Sequence, residues 1–417
     1  MEMVAASAMD RIKELEPQHV SRLAWAFAAL GADATELFGA LEKETARATY
    51  RFELQHLHNL AWAFAVRDVS APDLFTAITS ELRARLATFE AQHLREEALC
   101  KTAVGVLGLL WACKFVGILS EDLAVLARAS LANIGRALDD RGGLGTQFEP
   151  ALHAGLDSFH GDGPTGGEDR PYVVLDLRDR CVVHKPPAWM VDTEEDQQNS
   201  ELESSKKRWL LSGFSRTLVD MRRHPILGDA RHNHGFLHRL DVPSSGLIIV
   251  AKTYSAFYDL QVQLNVGEMV REYVVLCHGH MPRSQEIAVR LRWAQGTSSR
   301  VCEGGKPAKT LTFLLDRLHQ QGVSFSLVSV RIASGRQHQI RIHCAYVGHP
   351  TVCDGRYTAS DTFLSDSEWC QRNFLHRRRL VFQDSDGARR ELVNALPLDL
   401  MRVLCGISPR VASTSDS

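Results

Sequence analysis

The chain has 417 residues, more than one hydrophobic core usually organises, so two domains are expected. Hydrophobic residues make up 45% and charged residues 24%, as in soluble globular proteins, and no uninterrupted apolar run approaches the roughly 20 residues that span a bilayer. A formal net charge of −2 excludes a grip on nucleic acid through overall positive charge, so any such site must be a local patch.

The opening segment MEMVAASAMDRIKELEP lacks the apolar core of a secretory signal, and Asp10, Glu14 and Glu16 come too early for an Arg-rich transit peptide. It reads as the tail of a repeat, which leaves open a chain that starts after a targeting segment. Nine cysteines without a CxxC pair suit a reducing compartment. The expected location is intracellular: cytoplasmic, or mitochondrial or plastid if a targeting segment is missing.

LAWAFA stands at 23–28 and again at 60–65, and Leu37-Phe38 recurs as Leu74-Phe75, which sets a repeat of 37 residues. A third, weaker copy falls at Leu109-Leu110-Trp111-Ala112, displaced by 49 residues from Trp62. Each copy predicts a helical hairpin, broken at Gly31-Ala32-Asp33 or Asp68-Val69-Ser70, of the sort that stacks into solenoids. Trp25, Phe27, Trp62 and Phe64 are expected in the inter-helix core, with base stacking as the alternative. The pattern resembles the short octatricopeptide-like helical repeats of proteins that act on organellar RNA.

From Asp139 to Asp169, Gly, Pro and Asp cluster and helical periodicity fails, which predicts a flexible linker. Beyond it the pattern turns β-rich, with strands predicted at 172–177, 181–184, 247–252, 272–277 and 325–332. Helical stretches between them make the second domain α+β. The boundaries expected are a helical-repeat domain over 1–138, a linker over 139–170, a catalytic domain over 171–408 and a disordered tail over 409–417. The polar stretch 192–208 reads as a surface loop.

Two segments carry the chemistry. FLHRLDVPSSGLIIVAKT, from Phe236 to Thr253, places an Asp two residues after an Arg on a short extended segment, with Pro243 and Gly246 bending the chain into a buried strand. ASGRQHQIRIHCAYVGHPTVCDGRY, from Ala333 to Tyr357, predicts a helix starting near Arg336, on which Gln337, His338 and Arg341 share a basic face.

In order and spacing, HRLD with SSGL and AKT, then GRQHQIRIH and GHPTVCDGRY, resemble the RluA family of pseudouridine synthases. HKPPAWMV at 184–191, REYVVLCHG at 271–279 and NALPLDLMRVL at 394–404 extend the resemblance over about 170–405. It implies a pseudouridine synthase fold with a mixed, largely antiparallel sheet and flanking helices, after an all-α repeat domain. It further implies Asp241 as nucleophile on the target uridine, Arg341 as its ion-pair partner, and Tyr273 against the base. Arg239 would fill the gap left by the flipped nucleotide, with His238, Arg336, His338 and Lys185 as further RNA or base contacts. RNA is the implied partner; no cofactor, no metal, no membrane and a monomer are expected. Val242-Pro243-Ser244 after HRLD, and Gln337 where the family has Thr, depart from its pattern and bear on substrate choice.

Other readings stay open on the residues alone. Asp241 and Arg341 suit a structural ion pair, Tyr273 a packed strand residue, and Lys185 a turn before Pro186-Pro187. His338, His343, Cys344, His349 and Cys353 include zinc-ligand types without a familiar ligand spacing. No GxSxG motif points to hydrolase chemistry. A non-enzymatic RNA-binding factor with a synthase-like domain is the competing function. Lys206-Lys207-Arg208, Arg222-Arg223-His224 and His376-Arg377-Arg378-Arg379 are the candidate phosphate patches around Asp241.

Overall fold

The computed structural model describes residues 2–142, 170–191, 209–218, 222–292 and 299–407. The chain divides into two compact units, one holding the N-terminal helices with Thr253–Glu268 and Glu303–Lys306, the other the rest of the chain. The stretch 143–169 read as linker, the loop 192–208 and the tail after Ile407 lie outside the described residues.

In the first unit, helix α1 spans Glu2–Asp10, α2 Pro17–Leu30, α3 Thr35–Ala46, α4 Leu54–Arg67, α5 Pro72–Ala87, α6 Glu96–Phe115 and α7 Glu121–Arg141. α2 packs on α4 and α4 on α6, while α3 packs on α5 and α5 on α7, so helical hairpins stack in two layers. Gly31 and Asp68, one repeat apart, both end their helices in the left-handed conformation. The third copy is the hairpin α6–α7. Its displaced register arises because α5 runs 16 residues against 12 in α3, and α6 runs 20 against 14 in α4.

The aromatic positions divide. Phe27 and Phe64 are buried, and Phe64 meets Phe38 edge-on at 5.0 Å. Trp25 is 49% exposed and stands beside half-buried Trp62, their rings 6.3 Å apart. The expectation that all four fill the core is corrected by helix geometry: residues two apart point to nearly opposite faces, so Trp and Phe of one WAF segment cannot share a side. α6 also corrects the first reading of hydropathy. It is long and apolar enough, by length and composition, to cross a membrane, which a search for uninterrupted runs misses because Lys101 and Lys114 break the run. In the structure its apolar face, including Leu99, Val106 and Leu110, is buried and α6 packs against α4.

α7 continues to Arg141, past the point where composition suggested a linker. Asp139 accepts from the backbone nitrogens of Tyr254 and Ser255 at 2.8 and 3.0 Å, satisfying the start of the helix Tyr254–Val266. Arg128 holds the same helix through Asp259 and adjoining Glu268. Gly135 lets the two helices approach, since a Cβ there would lie 2.4 Å from the Ser255 Cα. These contacts tie a segment of the predicted second domain into the helical unit.

The second unit is built on a mixed sheet. Its strands are β1 Tyr172–Asp176, β2 Arg180–Lys185, β5 Ser245–Ala251, β6 Val270–His278, β7 Ser284–Arg292, β8 Arg300–Val301, β9 Lys306–Gln320, β10 Val323–Ile332, β11 Leu375–Gln383 and β12 Arg389–Val393. β3 Trp189–Met190 and β4 Trp209–Leu210 pair separately. The order is β1-β2-β5-β11-β6-β10-β9-β7-β8, with β12 on β11. The β5–β11 pair is parallel and the pairs β1–β2, β2–β5, β6–β11, β6–β10 and β9–β10 are antiparallel, the α+β architecture that the sequence implied. β5 is buried at every residue, as a central strand covered on both faces must be. One core cluster joins Leu276 and Phe325 of the sheet to Val352, Phe374, Leu400 and Val403. Because β11 lies between β5 and β6, with His376 opposite both Ser245 and Val274, the loop leading into β5 comes level with the middle of β6.

Candidate active site

Asp241 ends the HRLD segment just before β5, and its side chain keeps 15% of its surface exposed. The turn that presents it is pinned from several directions. Ser244 N donates to Asp241 O at 3.0 Å, Ala188 N donates to Val242 O at 3.0 Å, and Arg372 Nη1 donates to Pro243 O at 3.2 Å. Gly246 follows with φ 126°, and a Cβ there would fall 2.4 Å from the Arg377 carbonyl oxygen. The glycine of SSGL is therefore required by the close approach of β5 to β11.

Arg341 comes from the helix Gln339–Tyr346, 100 residues from Asp241, and its Nη1 donates to Asp241 Oδ2 at 3.0 Å. Its Nε and Nη2 make a two-pronged contact with the carboxylate of Asp354, at 2.8 and 2.7 Å. Burial alone would weaken the guanidinium's hold on its proton, but hydrogen bonds and charge from Asp354 and Asp241 outweigh it and hold Arg341 above the usual arginine range. Burial works against the charge of Asp354 as well. The Arg341 hydrogen bond and charge prevail and keep its carboxyl below the usual range. Asp354 also accepts from Thr351 Oγ1 and from the backbone nitrogens of Arg356 and Tyr357, so the Asp-Gly turn folds around its own carboxylate. The Arg341 guanidinium stacks over the Tyr357 ring at 5.2 Å.

The predicted helix start near Arg336 is corrected: the helix begins at Gln339, and His338 precedes it in the left-handed conformation, φ 54°. The cause is Gln339, a fully buried amide. Its Oε1 accepts from Ser334 Oγ and Arg336 N, while its Nε2 donates to Lys309 O and Thr310 Oγ1, which ties the preceding segment to β9. His338 is still brought toward the site. Its Nε2 stands 3.9 Å from Asp241 Oδ1 and its Nδ1 pairs with the Tyr357 hydroxyl at 2.9 Å. Burial lowers the His338 pKa, against the pull of Asp241, which favours a neutral ring.

Tyr273 lies on β6, and its hydroxyl accepts from Arg377 Nη2 at 2.6 Å. Arg377 Nη1 meets His238 Nδ1 at 2.9 Å and donates to Leu247 O at 3.0 Å, and Nη2 reaches the Arg239 carbonyl at 3.4 Å. His238 and Arg239 are both half-buried. Arg336 Nε reaches Pro307 O at 3.4 Å, and burial lowers its pKa.

Lys185 takes a different place from the RNA contact expected of it. It is fully buried, and its ammonium donates to Pro186 O, Trp189 O and Val242 O at 2.8, 2.8 and 3.3 Å. Burial, with the Arg372 charge next, pushes its pKa well down. It clamps the HKPPAW turn to the segment that follows Asp241.

The basic run 376–379 is corrected as a phosphate patch. β11 is covered on both faces where it begins, so adjacent His376 and Arg377 are both buried, while Arg378 is exposed and Arg379 pairs with Glu272 and Glu391. In the second run Arg222 and Arg223 are exposed, while His224 is buried against Lys252 O. Lys206-Lys207-Arg208 lies outside the described residues. The described residues, the histidines and cysteines weighed for zinc among them, include no group of three His, Cys, Asp or Glu placed to hold a metal ion.

Asp354, Tyr357 and Gln339 were not singled out from sequence, and Arg377 was singled out only as part of the basic run 376–379. Asp354 carried one signal: a buried arginine pairing with a partly exposed carboxylate leaves donors that need a second acceptor. The roles of the other three show only in the fold.

A family model described as RNA pseudouridylate synthase matches residues 180–346, a span that includes Asp241, Tyr273 and Arg341 and stops short of Asp354. Ribosomal large subunit pseudouridine synthase D of Yersinia pestis is 30% identical over 181 residues, covering 41% of this chain and 54% of that protein. Ribosomal large subunit pseudouridine synthase C of Haemophilus influenzae is 33% identical over 153 residues, 35% of this chain and 46% of that protein. Residues 180–346 are thus similar to RNA pseudouridylate synthases. The chain spans about half the length of the curated relatives it matches. Human RNA Pseudouridylate Synthase Domain Containing 1 aligns with a TM-score of 0.43 and 21% identity, over 59% of this chain and 91% of that one. The matched region leaves the helical repeats before it uncovered.

Proposed function

We propose that the chain isomerises uridines in RNA to pseudouridine, with Asp241 as the nucleophile. One observation carries the reading. A partly exposed carboxylate stands on a pinned turn, and its arginine partner is locked from behind by a second, buried carboxylate. Such an arrangement keeps an anion ionised and aimed, the requirement for a carboxylate nucleophile.

In the reaction the bond from the sugar C1′ to N1 of uracil breaks, the freed base rotates, and C1′ bonds to C5. The C5 hydrogen leaves as a proton and N1 acquires one, so substrate and product are isomers and no cofactor or energy source is consumed. Asp241 acts on the sugar–base bond while Tyr273 lies against the base. The target must leave its helical stack, at a cost of a few kcal/mol, and Arg239 on the same loop is the side chain suited to fill the space. Binding of the RNA rests on local basic groups, which makes affinity salt-dependent.

The names of the relatives make unmodified large-subunit ribosomal RNA the first transcript to try, followed by transfer RNA. With RNA labelled by tritium at C5 of uridine, each conversion releases one tritium to water. Wild-type protein should release tritium from a subset of sites, and the product should contain pseudouridine by nucleoside mass spectrometry. RNA binding with no tritium release at high protein concentration would instead identify a non-enzymatic RNA-binding factor.

A further inference from the structure

Arg377 and Arg271 are almost completely buried, at 1% and 4% exposure, and both lie beside Tyr273. Neither forms an ion pair with a carboxylate among the described residues. Two buried guanidiniums without a counterion are costly unless neutral acceptors take their hydrogen bonds. For Arg377 those acceptors are informative: Tyr273 Oη, the ring of His238, and the carbonyls of Leu247 and Arg239. One side chain therefore joins the base-contacting tyrosine to the HRLD segment that ends in Asp241.

Donor and acceptor rules fix more. A guanidinium only donates, so the phenol oxygen of Tyr273 is an acceptor here, and its own proton is turned away from Arg377. His238 likewise must accept at Nδ1, which requires a neutral ring; burial, with the Arg377 charge next, lowers its pKa well below the usual histidine value. The guanidinium carbon lies 5.0 Å from the Tyr273 ring centroid, close enough to restrain the ring as well as its hydroxyl.

We propose that Arg377 is a positioning residue for the isomerisation: it holds the phenol of Tyr273 in register with the Asp241 loop and orients the phenol proton toward the bound base. The inference rests on the functional reading above. It assigns a role to a residue which the sequence presents as one member of a surface charge run.

The test combines kinetics with a readout that needs no activity. Arg377→Met and Arg377→Lys are prepared, the lysine version retaining a cation so that folding is preserved, together with Tyr273→Phe and the Arg377→Met/Tyr273→Phe double variant. Single-turnover tritium release from C5-labelled ribosomal RNA transcripts is measured for each. Arg377→Met should slow the reaction by about 10- to 100-fold, with Arg377→Lys intermediate, and the same change in the Tyr273→Phe background should cost less than about 3-fold. Protein labelled with 13C at tyrosine Cζ supplies the second readout: the resonance missing from Tyr273→Phe should move in Arg377→Met. An unmoved resonance, or losses that simply multiply in the double variant, would overturn the proposal. Wild-type protein inert on every transcript would overturn the functional reading instead, and the resonance would still report on the contact.

Discussion

Asp354 lies wholly buried behind Arg341 and takes two of its guanidinium nitrogens at 2.8 and 2.7 Å, leaving Nη1 to meet Asp241 at 3.0 Å. The site is thus a relay of three charges, with the outer carboxylate exposed to solvent and the inner one sealed. The inner carboxylate gives the arginine a fixed orientation whether or not Asp241 is engaged with substrate.

Asp354→Ala is accordingly expected to be among the most damaging changes in the domain. It leaves Arg341 with Asp241 alone and strips two buried guanidinium nitrogens of their acceptor, at a cost of about 3–5 kcal/mol. Urea unfolding of the full chain checks this, and a loss below about 1 kcal/mol would mean that Arg341 finds another partner.

Gly246→Ala tests the approach of β5 to β11. A methyl group there would lie 2.4 Å from the Arg377 carbonyl in a backbone conformation that L-residues rarely adopt, so the expected destabilisation is about 2–5 kcal/mol. Wild-type stability in a denaturation curve would contradict the geometry.

Burial holds His376 down to about 3 and His184 down to about 4, while both rings titrate near 6.5 in the unfolded chain. Between those limits the unfolded state binds more protons than the folded one, so stability is complete above about pH 6.5 and falls as pH drops toward 4. Each ring contributes a slope of at most about 1.4 kcal/mol per pH unit. Urea unfolding at pH 7, 6 and 5 measures the slope, and His376→Gln should flatten it even if it lowers the overall stability. An unchanged slope would show that other groups dominate.

The two faces of the repeat predict opposite outcomes for neighbouring aromatics. Phe64→Ala should cost about 3–5 kcal/mol in the transition of the helical unit, whereas Trp25→Ala, half exposed, should cost under about 1. Equal losses would return Trp25 to the core.

What the sequence disclosed follows from what is local. The doubled LAWAFA segment, the strands at 247–252 and 272–277, and the ordered HRLD and HQIR motifs are contiguous patterns, and the structure places Asp241 beside Arg341. The third repeat was faint because longer α5 and α6 shift its register. Asp354 and Gln339 were invisible as functional groups, and Arg377 was visible only as a surface charge, because each acts through a partner that only the fold brings near. The run 376–379 misled for a related reason: a strand with two covered faces buries charges that composition alone assigns to solvent.

The central claim is that Asp241 performs the chemistry, and the most direct measurement is single-turnover tritium release from C5-labelled RNA by wild-type protein and by Asp241→Asn. The account predicts pseudouridine formation by the wild type and a loss of at least about 1,000-fold in the variant, which keeps the shape of the side chain and the fold but not the nucleophile. Asp241→Asn converting uridine at the wild-type rate would contradict it.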